Sequence, residues 1–394
     1  MTVRPDIRAS ATGPAPLAVQ VVRQYAPSRG GLEDVVANLA RHLQRRGYRV
    51  RIVTLDRVFT APDQTLPDRD VVDGIQVVRI PFSGSTRYPL APSVFRHIRD
   101  ADLVHVHAID FFFDALALAK PFHRKPMVAT THGGFFHTPK YARIKSVWFN
   151  TLTRFSASRY ERVIGCSAQD ARRFRQIAGD RVAMIENGVD TEKFSDAGSP
   201  VARKRLATIG RFSVNKRLDK LLDAMVPLTR SDPDWHLDII GVPGEITADD
   251  LGRLIAARGL TDQVAMHIGA SEAEIRNILS DCSFFASASD YEGFGLVAIE
   301  AMSAGLMPLL NPNTAYRDLA DKHGEIRMCD FSQADHAAKA IEDAFVSLSN
   351  DVAGYRQSAM RAADGYAWER VAAHYADIYR QVLGAGAPAP LPAI

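Results

Sequence analysis

Short β-branched runs separated by amphipathic helical stretches recur along almost the whole chain, and this alternation restricts the fold more than any other feature. Leu17–Arg23 reads as a strand. Gly31–Gly47 reads as a helix with Leu32, Val35, Val36, Leu39 and Leu43 on one face, and Arg49–Leu55 as a strand again. Gly74–Ile80, Leu103–His107, Met127–Thr131 and Arg162–Cys166 follow as strands. Strands joined through helices pair in parallel with the helix as the crossover, so the fold class is α/β with a covered parallel sheet.

Near residue 187 the pattern pauses. Asn187 to Asp190 carries turn chemistry, and residues 195–200 are rich in Gly, Ser and Pro, which places a linker there. A second alternation then begins, with strands at Leu206–Gly210, His236–Ile240, Val264–Ile268, Ser283–Ala286 and Met307–Leu310. Helices between them include Arg217–Thr229 and Glu272–Ser280, the latter led by a capping box of Ser271 and Glu274. The amphipathic stretch Trp368–Leu383 is expected to pack back on the first domain. The expected segments are a tail at 1–16, a first domain at 17–187, a second at 188–365, the returning helix at 366–384 and a tail at 385–394. In open α/β sheets ligands sit beyond the carboxyl ends of the strands, so chemistry is sought in a cleft between two such domains.

Composition narrows the class further. With 46% hydrophobic and 24% charged residues the chain is of ordinary globular type. No stretch reaches the ~20 apolar residues of a spanning helix, and the run from Leu17 to Val22 is too short for a signal peptide. Cys166, Cys282 and Cys329 are widely separated and odd in number, as expected of reduced, packed thiols in a cytosolic protein. Residues 1–186 hold 28 Lys and Arg against 16 Asp and Glu, whereas the remainder holds 20 against 29. A basic half suggests an anionic partner, either nucleic acid or an anionic membrane surface.

The densest chemistry lies between Ser289 and Gly305. Glu292 and Glu300 stand eight apart around a Gly293-Phe294-Gly295 loop, with Glu300 expected about two turns inside the helix that follows. Glycines admit close backbone approach, and free amides at a helix start suit a diphosphate. A carboxylate at each end suits hydroxyls, one on a sugar and one on a ribose. Arg211 and Lys216 leave the first strand of the second domain, where two cations can stabilise a departing diphosphate.

Other segments carry two readings each. Gly30 and Gly31 form a strand-to-helix turn able to present amides to phosphate, or an ordinary turn. His132 follows a strand and precedes two glycines, so it faces the cleft for a sugar contact or is a satisfied core histidine. Ser167 lines the same cleft or caps the helix from Ala168. Asp110, amid Phe111, Phe112 and Phe113, holds a sugar acceptor or sits among core aromatics. Between Lys140 and Phe155 a helical pattern with Trp148 is flanked by Lys140, Arg143 and Lys145; it reads as a membrane-interface helix or an ordinary surface helix. Asp232 and Asp234 flank a proline in a polar turn, and no metal site is convincing.

From Leu17 to Leu383 these motifs resemble family 4 of the retaining glycosyltransferases. The Glu-x7-Glu element is matched by Glu292 and Glu300, and the Gly-Arg…Lys element by Gly210, Arg211 and Lys216. The Gly30-Gly31 turn, the Thr131-His132-Gly133 stretch and the turn from Asn187 also match. The resemblance implies the GT-B fold, two facing Rossmann-like domains with an interdomain cleft. It further implies that Glu292 contacts the donor sugar and Glu300 the ribose, while Arg211, Lys216 and the amides from Phe294 to Leu296 hold the diphosphate without a metal or other cofactor.

Segments at 22–31, 54–60, 85–93, 133–138 and 212–216 are similar to one group in that family, the mannosyltransferases of acetan- and xanthan-type exopolysaccharide assembly. That likeness implies GDP-mannose as donor and a cellobiosyl-diphosphate-polyprenol as acceptor, reached peripherally on the cytoplasmic face of the inner membrane. Arg217 departs from the family pattern, where glycine is frequent after the lysine. The competing readings are a family 4 enzyme using a UDP-sugar with another acceptor and a nucleotide-sugar epimerase. A dinucleotide oxidoreductase lacks its GxGxxG turn after the first strand, and no nucleic-acid-binding motif is present.

Overall fold

The run Leu17–Val21 is apolar apart from Gln20 and is buried at every position, as a strand covered on both faces requires. It lies at the centre of an eight-stranded sheet in the computed structural model, which describes residues 14–28, 30–132 and 146–384. On one side of it run Leu103–His107, Met127–Thr130, Arg162–Gly165 and Val182–Met184, and on the other Arg49–Leu55, Ile75–Ile80 and Arg69–Val72. All neighbours are parallel except the outermost strand, Arg69–Val72, which returns antiparallel to Ile75–Ile80.

Helices cover both faces of this sheet. Gly31–Arg45 buries Val35, Val36, Leu39 and Leu43, the face read from its periodicity. Trp368–Leu383 lies in the same cluster through Trp368, Val371, Tyr375 and Tyr379. Phe112, Phe113, Leu116, Tyr160 and Phe174 fill the opposite face. Two antiparallel ribbons, Arg57–Val58 with Ala61–Thr65 and Ser83–Ser85 with Tyr88–Leu90, were not legible as strands because they are short and largely polar.

The chain forms two compact units, residues 1–188 with 368–394 and residues 189–367. The second unit has a six-stranded parallel sheet in the order Val264–Ile268, His236–Gly241, Arg205–Ile209, Phe284–Ser287, Met307–Leu310, Arg327–Met328. Its helix Leu218–Ser231 buries Leu221, Leu222, Met225 and Leu228. The capping box ahead of Glu272–Leu279 is present with both reciprocal bonds between Ser271 and Glu274. Cys166, Cys282 and Cys329 are unpaired and buried, and burial pushes the Cys166 thiol up to about 12.

Residues 195–200 differ from the linker expected of their composition. Ala197 and Ser199 are buried, and a Cβ on Gly198 would stand 2.7 Å from the Ala304 carbonyl oxygen. The Arg356 guanidinium, 7% exposed, donates to the Ser199 carbonyl at 2.9 Å and pairs with Asp196. Small residues occur here because the backbone is packed tightly, not because it is loose. Gly188 has the same cause, since a Cβ there would lie 2.4 Å from the Trp368 ring. Gly188→Ala is therefore expected to destabilise the protein by about 1–3 kcal/mol, the range for overpacking. Gly324→Ala, with nothing within 4 Å of the new Cβ, should leave thermal unfolding unchanged.

Candidate functional site

In the second unit, three glycines bring strand ends together where the cations leave the sheet. A Cβ on Gly241 would stand 1.9 Å from the Gly210 carbonyl oxygen, and one on Gly244 would stand 2.6 Å from Cγ of Arg211. Gly210, at φ 153°, has the Lys216 stem lying against it. Gly241 and Gly244 were missed in the sequence; a glycine at the end of an apolar strand was the available signal. Arg211 is exposed, and among the described residues no ion pair involves it.

Lys216 ends a short 3-10 turn, and its Nζ lies 2.7 Å from Oε1 of Glu292. Two further ties join these loops. Asn215 accepts on its carbonyl from the Asp290 amide at 3.0 Å and donates through Nδ2 to the Tyr291 carbonyl at 2.7 Å. Arg217 pairs with Asp290 at 2.9 Å and with Asp219 at 2.8 Å, which raises its guanidinium pKa. Arg217 adopts φ 48°, the left-handed region that favours glycine. The departure from the family's glycine thus trades local strain for a tether between the two loops.

Gly295, at φ 90°, stands immediately before the helix Leu296–Ser303, and a Cβ there would meet the Tyr316 ring at 2.8 Å. Gly293 has open space, and Phe294 packs edge-on to Tyr366. No side chain caps this helix, so its first amides remain available to a ligand. Glu300 is half-buried and is the fifth helical residue, one turn in rather than two, because the helix starts only after Gly295. Tyr316 donates to Ser287 Oγ at 2.9 Å, Ser287 and Ser289 hydroxyls lie 3.0 Å apart, and Asn313 donates to the Ser289 carbonyl at 3.0 Å. These buried supports of the loop gave no sequence signal, since only packing identifies them.

In the first unit Gly30, His132 and Asn187 occupy loops that follow strands. Gly30 is the extended residue before Gly31–Arg45, with Glu33 folded over it at the helix start and Gly31 facing open space. His132, at φ 51°, follows Met127–Thr130, and its Nε2 lies 3.0 Å from Nδ1 of His107. Although part of the residue reaches the surface, burial of the ring pushes its pKa down to about 3. Asn187 is half-buried, with Oδ1 enclosed and unpartnered.

Two further residues of the first unit serve as helix caps. Ser167 caps the helix Ala168–Ala178, accepting from the Asp170 amide at 3.1 Å. Asp110 is 2% exposed, caps Phe111–Leu118 by accepting from the Phe112 amide, and faces Arg23 Nε at 3.0 Å. Burial pushes its carboxyl pKa up to about 7, which the nearby Arg23 only partly offsets.

Lys140, Arg143 and Lys145 lie outside the described residues. Beyond them Val147 is 64% and Trp148 39% exposed, the Trp148 ring meeting Tyr88 edge-on at 6.1 Å. Elsewhere on this unit Arg51, Arg69, Arg96, Arg99 and His97 surround a pocket of about 320 Å³ together with Asp100. Among the described residues no helix is long and apolar enough to cross a membrane.

The chain matches the model of Glycosyltransferase Family 4 over residues 29–193 and that of Glycosyl transferases group 1 over residues 189–351. It is 45% identical over 372 residues to a GDP-mannose:cellobiosyl-diphosphopolyprenol alpha-mannosyltransferase of Komagataeibacter xylinus, covering 94% of each chain. It is 42% identical to one so named from Xanthomonas campestris, covering 93% of this chain and 97% of the relative. A solved glycosyltransferase from Rickettsia africae superposes with a TM-score of 0.73 at 17% identity, over 94% of this chain and 99% of that one. That likeness fixes the fold as GT-B, two Rossmann-like domains.

Two outcomes follow from this geometry. Arg217→Ala keeps the left-handed strain and loses the tether, whereas Arg217→Gly loses the tether but relieves about 1 kcal/mol of strain. Denaturant unfolding should therefore place Arg217→Gly above Arg217→Ala in stability. Asp110 titrates in the fold at about 7 against an ordinary 3.8. A raised carboxylate favours the folded state below its unfolded value, and that stability is lost as pH rises through 7. Against Asp110→Asn, the wild-type melting temperature should fall progressively between pH 5 and pH 8; a constant difference would refute the assignment.

Proposed function

The chain belongs to glycosyltransferase family 4, and we propose that it transfers α-mannose from GDP-mannose to a cellobiosyl-diphosphate-polyprenol, with retention at the anomeric carbon. The observation that carries this reading is the 45% identity, extending over 94% of both chains, to a relative named for that reaction.

The second unit supplies the groups the chemistry requires. Cleavage of the bond between the anomeric carbon and the diphosphate oxygen puts negative charge on GDP. Arg211, Lys216 and the amides from Phe294 to Leu296 receive that charge in this reading. Glu292 holds the mannose hydroxyls and Glu300 the ribose. The 2.7 Å pair between Lys216 Nζ and Glu292 supports this reading by bringing the two side chains together. The acceptor hydroxyl attacks from the face the diphosphate leaves, and its proton passes to the departing diphosphate. His132, neutral at working pH, contacts the transferred sugar. Charge neutralisation by side chains and amides leaves no step that requires a metal.

The acceptor lipid places the enzyme at an anionic membrane surface, on the inner face of the inner membrane. Exposed Val147 and Trp148, the basic residues before them and the arginine-lined pocket of the same unit support this reading.

Purified protein incubated with labelled GDP-mannose and cellobiosyl-diphosphate-polyprenol should move label into the organic phase, with or without EDTA. Lys216→Ala and Glu292→Ala should each reduce the rate on the order of 10²–10³-fold, the scale of losing one transition-state donor. Transfer from a UDP-sugar instead would overturn the donor assignment, and abolition by EDTA would overturn the metal-free mechanism.

A further inference from the structure

Behind His132 the first unit holds buried polar side chains that the transfer step itself does not use. Gln20 comes from the central strand, His105 and His107 from its neighbour, and Tyr379 from the C-terminal helix; all four are fully buried. His107 Nε2 lies 2.8 Å from Gln20 Oε1, and Gln20 Nε2 donates to the Tyr379 hydroxyl at 3.0 Å. That hydroxyl lies 2.7 Å from Nδ1 of His105, whose Nε2 lies 2.8 Å from Thr130 Oγ1. With the 3.0 Å bond from His107 to His132, one unbroken chain joins the C-terminal helix to the loop histidine.

Burial holds His105 and His107 well below the ordinary imidazole range, so these rings are neutral. A neutral imidazole has one N–H and one lone pair, which gives every bond in the chain a direction. The Gln20 amide turns its oxygen to His107 and its nitrogen to Tyr379. His107 then donates from Nε2 and keeps its lone pair on Nδ1. His132 must donate to that lone pair from its own Nε2, and its lone pair falls on Nδ1. On the other branch Tyr379 accepts from Gln20 and donates to His105, which donates to Thr130. Turning the amide over would reverse every bond, so its orientation selects the tautomer of His132.

We propose that Gln20 and Tyr379 are positioning residues that hold His132 as the Nε2–H tautomer, leaving Nδ1 to accept a hydrogen bond from a hydroxyl of the transferred sugar. The catalytic consequence rests on the sugar-contact reading of His132 given above; the tautomer itself does not. A fixed lone pair at Nδ1 orients the sugar hydroxyl as donor, whereas the other tautomer would present an N–H and reverse that bond.

Long-range 1H–15N correlation spectra of the full-length protein with labelled histidine, assigned with His107→Ala and His132→Ala, read the tautomers directly. Expected is a proton on Nε2 of both rings, unchanged from pH 6 to pH 8. Tyr379→Phe removes the group that holds the amide nitrogen, so His132 should become a tautomer mixture. Its kcat should fall roughly ten- to hundredfold, the scale on which outer-shell partners of histidine act, with the GDP-mannose KM changed less than twofold. Gln20→Leu asks the same question if that variant does not fold. A proton on Nδ1 of wild-type His132 overturns the proposal, as does a Tyr379→Phe enzyme with unaltered tautomer and kcat. Absence of mannosyl transfer in a protein that shows the Nε2–H tautomer would instead reject the functional reading.

Discussion

Buried parallel strands impose the constraint from which the rest of this structure follows. Their backbone groups are satisfied by neighbours on both sides, and the helices that connect them leave no exposed face. Only where pairing stops, at the carboxyl ends, does the backbone turn outward with amides and side chains unengaged. Gly30 follows Leu17–Val21, His132 follows Met127–Thr130, Arg211 follows Arg205–Ile209, and Glu292 follows Phe284–Ser287. Residues far apart in the chain thus share one kind of position, the loop beyond the end of a parallel strand.

Charge is handled differently in the two units. Around the second unit's loops it is paired and partly exposed, with Lys216 against Glu292 and Arg217 against Asp290. Such partly exposed pairs are screened by solvent and contribute little to stability. The buried histidines of the first unit are neutral. His105 and His107 are driven far below the ordinary imidazole range, and Asp110 is raised to about 7 beside Arg23. Neutrality is what makes the histidine chain directional, since a protonated ring would donate from both nitrogens and carry no preference.

Several expectations changed for one common reason: a small or polar residue in sequence does not say whether it faces solvent, ligand or packed backbone. The Gly, Ser and Pro of residues 195–200 suggest a linker, and in the fold Gly198 lies against Ala304 while Arg356 donates to the Ser199 carbonyl. Chemistry alone leaves Ser167 and Asp110 two readings each, and in the fold both cap helices. Arg217 stood out only as a departure from a glycine, and the structure supplies its compensation in Asp219 and Asp290.

The strand and helix alternation, the break near residue 188, the capping box at Ser271 and the cluster from Ser289 to Gly305 are all legible in the linear chain. Each of these depends on local periodicity or on residues a few positions apart, and local order is what a linear chain records. Tertiary structure alone decided that Gly241 and Gly244 admit the Gly210-Arg211 turn, that Tyr316 and Asn313 brace the Glu292 loop, and that Tyr379 reaches Gln20 across 359 positions. Those arrangements arise where separate strands and helices meet, and no spacing along the chain encodes the distance between them.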